Sequence, residues 1–144
     1  MIKKMQLSDL EGLLDLAMEL WPDNRREQLV VMYTRLLQAE DAAIFGLMEN
    51  GRWDAFAQCQ LRRDYVQGCT TSPVGYLEGV YVRERMQGQG VARALLNRCQ
   101  AWAKAQGCSE FASDCELGNV DSYRFHMATG FLEAGRIICF VKPL

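Results

Sequence analysis

The segment Gln87-Gly88-Gln89-Gly90-Val91-Ala92 has the residue types and spacing of a turn that binds phosphate. It follows an apolar run of strand character, Gly75 to Val82, and precedes a run with helical periodicity, Val91 to Gln106. The start of a helix exposes unpaired backbone N–H groups at the positive end of the helix dipole, where an anion is stabilised. Glycine lets a ligand approach this backbone without meeting a Cβ atom. We therefore expect a phosphate-containing ligand at this turn.

The spacing of the glycines separates this turn from two other phosphate-binding loops. The lysine of a P-loop is absent, and so is the third glycine of a dinucleotide fingerprint. The remaining pattern, Gln-x-x-Gly-x-Ala, resembles the loop that binds the pyrophosphate of acyl-CoA in the GNAT acetyltransferases. An ordinary tight turn is the alternative interpretation.

Composition and charge narrow the classes of protein to which the chain can belong. A chain of 144 residues with 49% hydrophobic and 24% charged residues is typical of one globular domain, residues 1–144. The formal net charge of −2 gives no basic footprint for nucleic acid. We find no apolar run long enough to span a bilayer and no signal-peptide pattern near Met1, so we expect a cytoplasmic protein that does not bind membranes.

The cysteines and the single histidine do not form a metal-binding pattern. No two cysteines have Cys-x-x-Cys spacing, and His126 is not close to any cysteine in sequence. We expect no metal and no disulfide, but free, partly buried thiols. The cysteines are Cys59, Cys69, Cys99, Cys108, Cys115 and Cys139.

Periodicity and turn signals predict an α+β domain with a mixed sheet, in the order β-α-α-β-β-β-α-β-α-β-β. Ser8 and Glu11 form a predicted capping box for the first helix, and Asn50-Gly51 predicts a hairpin. The predicted strands are Ile2–Met5, Ala43–Glu49, Trp53–Arg63, Gly75–Val82, Ser109–Cys115, Phe131–Arg136 and Ile137–Lys142. The predicted helices are Leu10–Leu20, a second helix that has Leu29 to Leu37 on its apolar face and ends at Asp41-Ala42, Val91–Gln106 and Asn119–Thr129.

This order of elements resembles the GNAT fold along essentially the whole chain. A second landmark agrees, because Asn119 opens a short helix that is followed by Gly130-Phe131. The resemblance implies that acetyl-CoA is the co-substrate. The residues that it implies for binding acetyl-CoA are Tyr81, Val82, Arg83, Gln87, Gly88, Gln89, Gly90, Val91, Ala92, Arg93 and Asn119.

Segments scattered over most of the chain are similar to the aminoglycoside 6′-N-acetyltransferases. They are Trp21-Pro22, Asp64 to Cys69, Ser72-Pro73, Leu77 to Gly79 and Ala112 to Asp114. The resemblance implies that Trp21, Tyr65, Glu78 and Asp114 line the site for the antibiotic. This set suits the chemistry, because a polycationic sugar needs carboxylates for its ammonium groups and aromatic rings for its faces. The expected reaction is direct attack of the 6′-amine on acetyl-CoA.

The resemblance implies two catalytic residues, Glu78 and His126, and each has two possible roles. Glu78 either takes the proton of the amine, through water, or only binds the ammonium group. His126 stands where many GNAT enzymes have a tyrosine, and it either protonates the departing thiolate or has a structural or cofactor-contacting role. Some relatives have an acidic substrate contact near the position of Gly135, where this chain offers only Glu133.

Two alternatives to this function remain open at the level of the sequence. One is a GNAT enzyme for another amine, such as a polyamine, a peptide or a protein N-terminus. The other is a non-catalytic module that binds acetyl-CoA. A homodimer is expected in either case, because Ile137 to Val141 is apolar enough to pair across a subunit boundary, and related enzymes sometimes exchange C-terminal strands.

Overall fold

The computed structural model describes all 144 residues and contains one five-stranded mixed sheet with four α-helices. The sheet has the order β1-β2-β3-β4-β5; β1 to β4 pair antiparallel, and β4 pairs parallel with β5. The strands are β1 Ile2–Lys4, β2 Ala42–Glu49, β3 Arg52–Arg62, β4 Val74–Val82 and β5 Phe111–Ser113, and the helices are α1 Leu10–Leu20, α2 Arg26–Leu36, α3 Val91–Ala105 and α4 Val120–Ala128.

Helices cover both faces of the sheet, so the central strands are apolar on both sides. Along β2, Ala42 and Ile44 pack with the side chains of α1 and α2, whereas Ala43 and Phe45 pack with those of α3. Successive side chains of a strand point to opposite faces, which explains this alternation. The predicted α+β class and mixed sheet are confirmed.

The pairing of β4 places an irregularity at Glu78. Leu77 lies opposite Cys59 and Gly79 lies opposite Gln58 in β3, which leaves Glu78 as the extra residue of a β-bulge. Pairing between β4 and β5 ends one residue earlier, at Leu77 and Ser113. Beyond this pair β4 and β5 separate, and the first residues at the opening are Glu78 on β4 and Asp114 directly after β5.

Three predicted features at the start and in the middle of the chain have different outcomes. The Asn50-Gly51 hairpin is confirmed, since both residues have positive φ angles, of 51° and 74°. The capping box of Ser8 and Glu11 is wrong: a 3₁₀ turn, Leu7–Asp9, precedes α1, and the Asp9 carboxylate accepts from the Gln6 N–H at 2.8 Å. The strand predicted over Ser109–Cys115 is only three residues long.

The two strands predicted over Phe131–Arg136 and Ile137–Lys142 are not formed. Residues 131–144 contain neither helix nor strand, and the outer edge of β5 stays unpaired. Large apolar side chains in this segment are consequently exposed, namely Leu132, Ile137, Ile138, Phe140, Val141 and Leu144.

None of the helices is both long enough and apolar enough to span a lipid bilayer. All six cysteines are free thiols; Cys59 and Cys99 are buried, and Cys115 and Cys139 are exposed. No group of three or more His, Cys, Asp or Glu side chains is arranged to hold a metal ion.

Candidate active site

The glycine turn lies between β4 and the first turn of α3, as its sequence predicts. Gly88 and Gly90 have φ angles of +75° and +77°, and Gly90 is the residue that caps α3. The Gln87 side-chain amide donates to the Val82 carbonyl at 2.9 Å and so ties the turn to the end of β4. No side chain caps the first N–H groups of α3, which leaves them available to an anion.

A cavity of about 220 Å³ lies between this turn and α4. Arg93 connects the two helices, because its guanidinium donates to the Ala128 carbonyl at 2.8 Å. The Asn119 side chain accepts from the Ser122 N–H at 3.1 Å and so caps α4. The residues that line the cavity include Val82, Gln87, Gly88, Gly90, Val91, Ala92, Arg93 and Phe125.

Tyr81 and Arg83 have their side chains directed to α1, not to the glycine turn. The Tyr81 hydroxyl donates to Glu19 at 2.8 Å, and the Arg83 guanidinium donates to Glu19 at 2.7 Å. The Arg83 hydrogen bond lowers the pKa of the Glu19 carboxyl. For a ligand at the turn, these two residues therefore offer their backbone more readily than their side chains.

Four side chains meet where β4 and β5 diverge, and we call them the acidic cluster: Arg62, Tyr76, Glu78 and Asp114. The Arg62 guanidinium makes two hydrogen bonds to the Glu78 carboxylate, at 2.9 and 2.8 Å. It also lies over the Tyr76 ring, 3.4 Å from the ring centroid. The Tyr76 hydroxyl donates to the Asp114 carboxylate. Glu78 and Asp114 are thus linked through Arg62 and Tyr76.

The electrostatics of the acidic cluster follow from these contacts. The hydrogen bonds to Glu78 raise the pKa of the Arg62 guanidinium. Burial, and then the hydrogen bond to Asp114, raises the pKa of the Tyr76 hydroxyl, so this group remains a donor at neutral pH. Arg62 and Tyr76 were missed by sequence reasoning. The sequence signal for them was that Tyr76 and Glu78 are two residues apart on one strand, and so share a face, while Arg62 ends the neighbouring strand.

Trp21 packs on the strand next to Glu78, whereas the Tyr65 side chain is exposed. The Trp21 indole covers Gly79, so closely that a Cβ atom at Gly79 would lie 2.9 Å from two ring carbons. Tyr65 is 82% exposed, in the connection between β3 and β4. Glu110 holds this connection by accepting from the backbone of Thr70 and Thr71.

His126 is fixed by hydrogen bonds at both ring nitrogens. Nδ1 lies 2.6 Å from the Ser122 carbonyl, and Nε2 lies 2.7 Å from the Ser113 hydroxyl. Since a carbonyl only accepts, Nδ1 carries a proton, and in the neutral ring Nε2 accepts from Ser113. In the imidazolium form Nε2 donates instead, and the Ser113 hydroxyl is directed to the Leu77 carbonyl, 3.3 Å away.

The unpaired edge of β4 completes the geometry. Beyond Leu77 no strand pairs with β4 on the side of β5, while β3 continues to pair with its other side up to Val82. An extended ligand can therefore lie in the opening, with the glycine turn at one end and the acidic cluster beside it. The arrangement suits a long molecule with a phosphate group together with a cationic molecule.

Comparison with known proteins gives a consistent set of similarities. The model of the acetyltransferase (GNAT) family matches residues 10–131. A Serratia marcescens protein described as aminoglycoside N(6′)-acetyltransferase type 1 is 42% identical over 139 residues, or 94% of each chain. A Stenotrophomonas maltophilia protein with the same description is 40% identical and covers 99% of this chain and 93% of its own.

A solved structure also superimposes on the whole chain. It is AAC(6′)-Iy in complex with the bisubstrate analogue CoA-S-monomethyl-acetylneamine, with a TM-score of 0.96 and 36% identity. The alignment covers all of this chain and 98% of that one.

Proposed function

Because this chain belongs to the acetyltransferase (GNAT) family, we propose that it transfers the acetyl group of acetyl-CoA to the 6′-amine of aminoglycosides. Residues 1–144 act as one catalytic domain in this proposal. The family that the sequence resembles is confirmed by the family model and by relatives of the same length. The single observation that carries the acceptor half of the proposal is the acidic cluster beside the opening of the sheet.

The donor half of the site is built from backbone groups. The positive φ angles of Gly88 and Gly90 direct the chain into α3, and the first N–H groups of this helix are uncapped. These groups suit the diphosphate of acetyl-CoA, because the helix dipole adds to their hydrogen bonds. The pantetheine arm then follows the unpaired edge of β4 towards Glu78.

The acceptor half of the site is built from side chains. Glu78 and Asp114 supply two carboxylates for a polycationic sugar, and the Trp21 indole supplies an aromatic face next to Glu78. Both halves meet at the bulge of β4. Direct attack by the amine in a ternary complex therefore needs no covalent intermediate on the protein.

Deprotonation of the acceptor is the chemical step for which the chain must supply a group. An alkyl amine has a pKa of about 10.4, so at neutral pH most of it is protonated and not nucleophilic. Glu78 is the carboxylate at the junction of the two halves, and it first orients the ammonium group and then receives its proton through water. Acetyl-CoA supplies an activated acyl group and a thiolate leaving group.

His126 belongs to the wall of the site that faces the thiolate in this proposal. Its contact with Ser113 gives a route for a proton from the imidazolium through the Ser113 hydroxyl. Its contacts with Ser122 and Ser113 equally serve to hold α4 against β5. Unchanged turnover of His126→Phe between pH 6 and 8 would exclude the acid role.

The decisive experiment compares two acceptors that differ at the 6′ position. Neomycin has a 6′-amine and paromomycin has a 6′-hydroxyl. We expect release of CoA thiol and a singly acetylated product at the 6′-nitrogen with neomycin, and no acetylation at that position with paromomycin. Equal turnover of both drugs would reject the regiochemistry, and turnover of spermidine or a peptide alone would favour another amine as the acceptor.

Glu78→Gln tests the assignment of Glu78 within the same assay. We expect a fall in turnover of about 100-fold, in the range of general-base catalysis, with little change in the dissociation constant of acetyl-CoA. Thermal melting should show that the variant is folded. A variant with the turnover of the wild type would show that Glu78 is not the base.

We also propose a homodimer and a cytoplasmic location. The support for the dimer is the exposed apolar segment 137–141 together with the free outer edge of β5, which a second copy of the chain can cover. The support for the location is the donor, because acetyl-CoA is supplied in the cytoplasm.

A further inference from the structure

The acidic cluster already contains a cation. Arg62 holds the Glu78 carboxylate with its Nε and Nη2 atoms, at 2.9 and 2.8 Å, in the bidentate geometry of a strong ion pair. The Glu78 side chain is 17% exposed and the Arg62 side chain is 40% exposed, so the pair lies at the wall of the opening. The guanidinium stacks on Tyr76, which keeps it over the cluster.

This contact matters because a guanidinium remains protonated at all physiological pH values. Glu78 and Asp114 carry two negative charges, and Arg62 cancels one of them. The carboxylate at the junction of the two halves is therefore already paired with a positive group of the protein. An incoming ammonium group must share Glu78 with Arg62 or displace it.

We propose that Arg62 competes with the 6′-ammonium group of the acceptor for Glu78, and so narrows the difference in affinity between 6′-amino and 6′-hydroxyl drugs. This inference rests on the proposed function, and the competition adds a cost to binding that falls only on a drug with a cationic group at that position. A 6′-hydroxyl cannot pair with the carboxylate as strongly as a guanidinium does, so it leaves the Arg62–Glu78 pair in place. Arg62 thus lowers the affinity for the true acceptor.

Arg62→Gln tests the competition, with Arg63→Gln as the matched control. Both variants remove one positive charge from neighbouring positions, but Arg63 is exposed and its nearest carboxylate, on Asp41, is 3.9 Å away. Neomycin and paromomycin are titrated by calorimetry into each protein in the presence of coenzyme A. We expect Arg62→Gln to lower the dissociation constant of neomycin about fivefold, in line with a partly exposed ion pair.

Three further readouts separate competition from a merely structural effect. The dissociation constant of paromomycin should change less than twofold in Arg62→Gln, because this drug does not displace Arg62. Arg63→Gln should change neither drug. In turnover, Arg62→Gln should lower the KM of neomycin without lowering kcat, and the KM of acetyl-CoA should not change.

A double-mutant cycle checks that Arg62 acts through Glu78. In the Glu78→Gln background the substitution Arg62→Gln should no longer tighten neomycin binding, since no carboxylate remains to be released. Arg62→Lys keeps the charge without the bidentate fork, so its dissociation constant should lie between those of the wild type and Arg62→Gln.

Weaker or unchanged neomycin binding in a folded Arg62→Gln variant would overturn the inference. Weaker binding would mean that Arg62 holds Glu78 in place for the acceptor, and unchanged binding would mean that Arg62 has no part in binding it. That failure differs from failure of the proposed function, which would be seen as absence of 6′-acetylation of neomycin by the wild-type enzyme.

Discussion

At the scale of single residues, Gly79 determines where the Trp21 indole can lie. A Cβ atom at this position would lie 2.9 Å from two carbons of the indole, closer than van der Waals contact allows, so Gly79→Ala must displace the ring. We expect the KM of the aminoglycoside to rise several-fold, about 1 kcal/mol of lost or misplaced aromatic contact, while the KM of acetyl-CoA stays the same. Steady-state kinetics with each substrate varied in turn measures both values.

Gly51→Ala is the control for this prediction. Gly51 has a φ of +74° in the hairpin between β2 and β3, and no atom lies within 4 Å of a Cβ built there. This variant should lose thermal stability through backbone strain and keep both KM values. If Gly79→Ala left the KM of the acceptor unchanged, the indole would not be part of the acceptor site.

Individual residues of the site differ in how far the sequence could predict them. The resemblance named Glu78 and Asp114 as site residues, and both follow the last paired residues of the neighbouring strands β4 and β5. Arg62 was missed because a strand-terminal arginine looks the same in sequence whether it meets solvent or a carboxylate. Its contact with Glu78 depends on the bulge in β4 and on the register with β3, which no local pattern encodes. Tyr65 was predicted in the site, and the structure leaves it exposed.

At the scale of the elements, Asp54 anchors the connection that leads from β4 into the glycine turn. Its carboxylate is fully buried and lies 3.2 Å from Arg52 and 3.6 Å from Arg83, and Arg85 binds it directly. Asp54 belongs to β3, whereas Arg83 and Arg85 belong to the connection. The ion pairs therefore hold the connection against β3.

Asp54→Asn removes this charge without changing the size of the side chain. We expect a loss of about 2 kcal/mol in the free energy of unfolding, because one partner of a buried ionic network is removed while the arginines keep access to water. We also expect a higher KM for acetyl-CoA, since the turn loses its anchor. Urea denaturation and kinetics measure the two effects.

Glu11→Gln is a suitable comparison for Asp54→Asn. It breaks an ion pair with Arg26 of 2.6 Å in which Glu11 is 81% exposed, so its cost should stay below about 0.5 kcal/mol. An Asp54→Asn variant as stable as Glu11→Gln, with an unchanged KM for acetyl-CoA, would contradict the anchoring role.

Elements were predictable where their signals are local. The Asn50-Gly51 hairpin and the glycine turn follow from the backbone preferences of a few residues, and both are confirmed. The start of α1 was predicted with the wrong capping residues, because a 3₁₀ turn precedes the helix and the Asp9 carboxylate accepts from the Gln6 N–H at the start of that turn. The last two predicted strands are absent, because a strand needs a pairing partner and local sequence does not show whether one is present.

At the scale of the whole molecule, the C-terminal segment predicts the oligomeric state. Ile138 is 82% exposed and Phe140 is 91% exposed, and such a cluster is covered by a partner in a stable soluble protein. We expect light scattering after size exclusion to give the mass of a dimer. The double substitution Ile138→Asp and Phe140→Asp should give a monomer, because it would bury charges in the interface.

Val31→Asp would serve as the control for the dimer, because Val31 is 72% exposed but lies on α2 and not in the C-terminal segment. It should keep the mass of the dimer. A wild-type protein that elutes as a monomer down to its working concentration would contradict the dimer, and the exposed segment would then need another explanation.

The opening between β4 and β5 divides the molecule into parts that can evolve at different rates. In the proposed function Glu78 stands at the boundary: the glycine turn serves acetyl-CoA, which is the same for every acceptor, while Trp21 and Arg62 lie on the side of the acceptor. Selection for a wider range of acceptors should therefore accumulate changes on the acceptor side. Substitutions in the turn itself would reduce acetylation of every acceptor alike, so such selection would act against them.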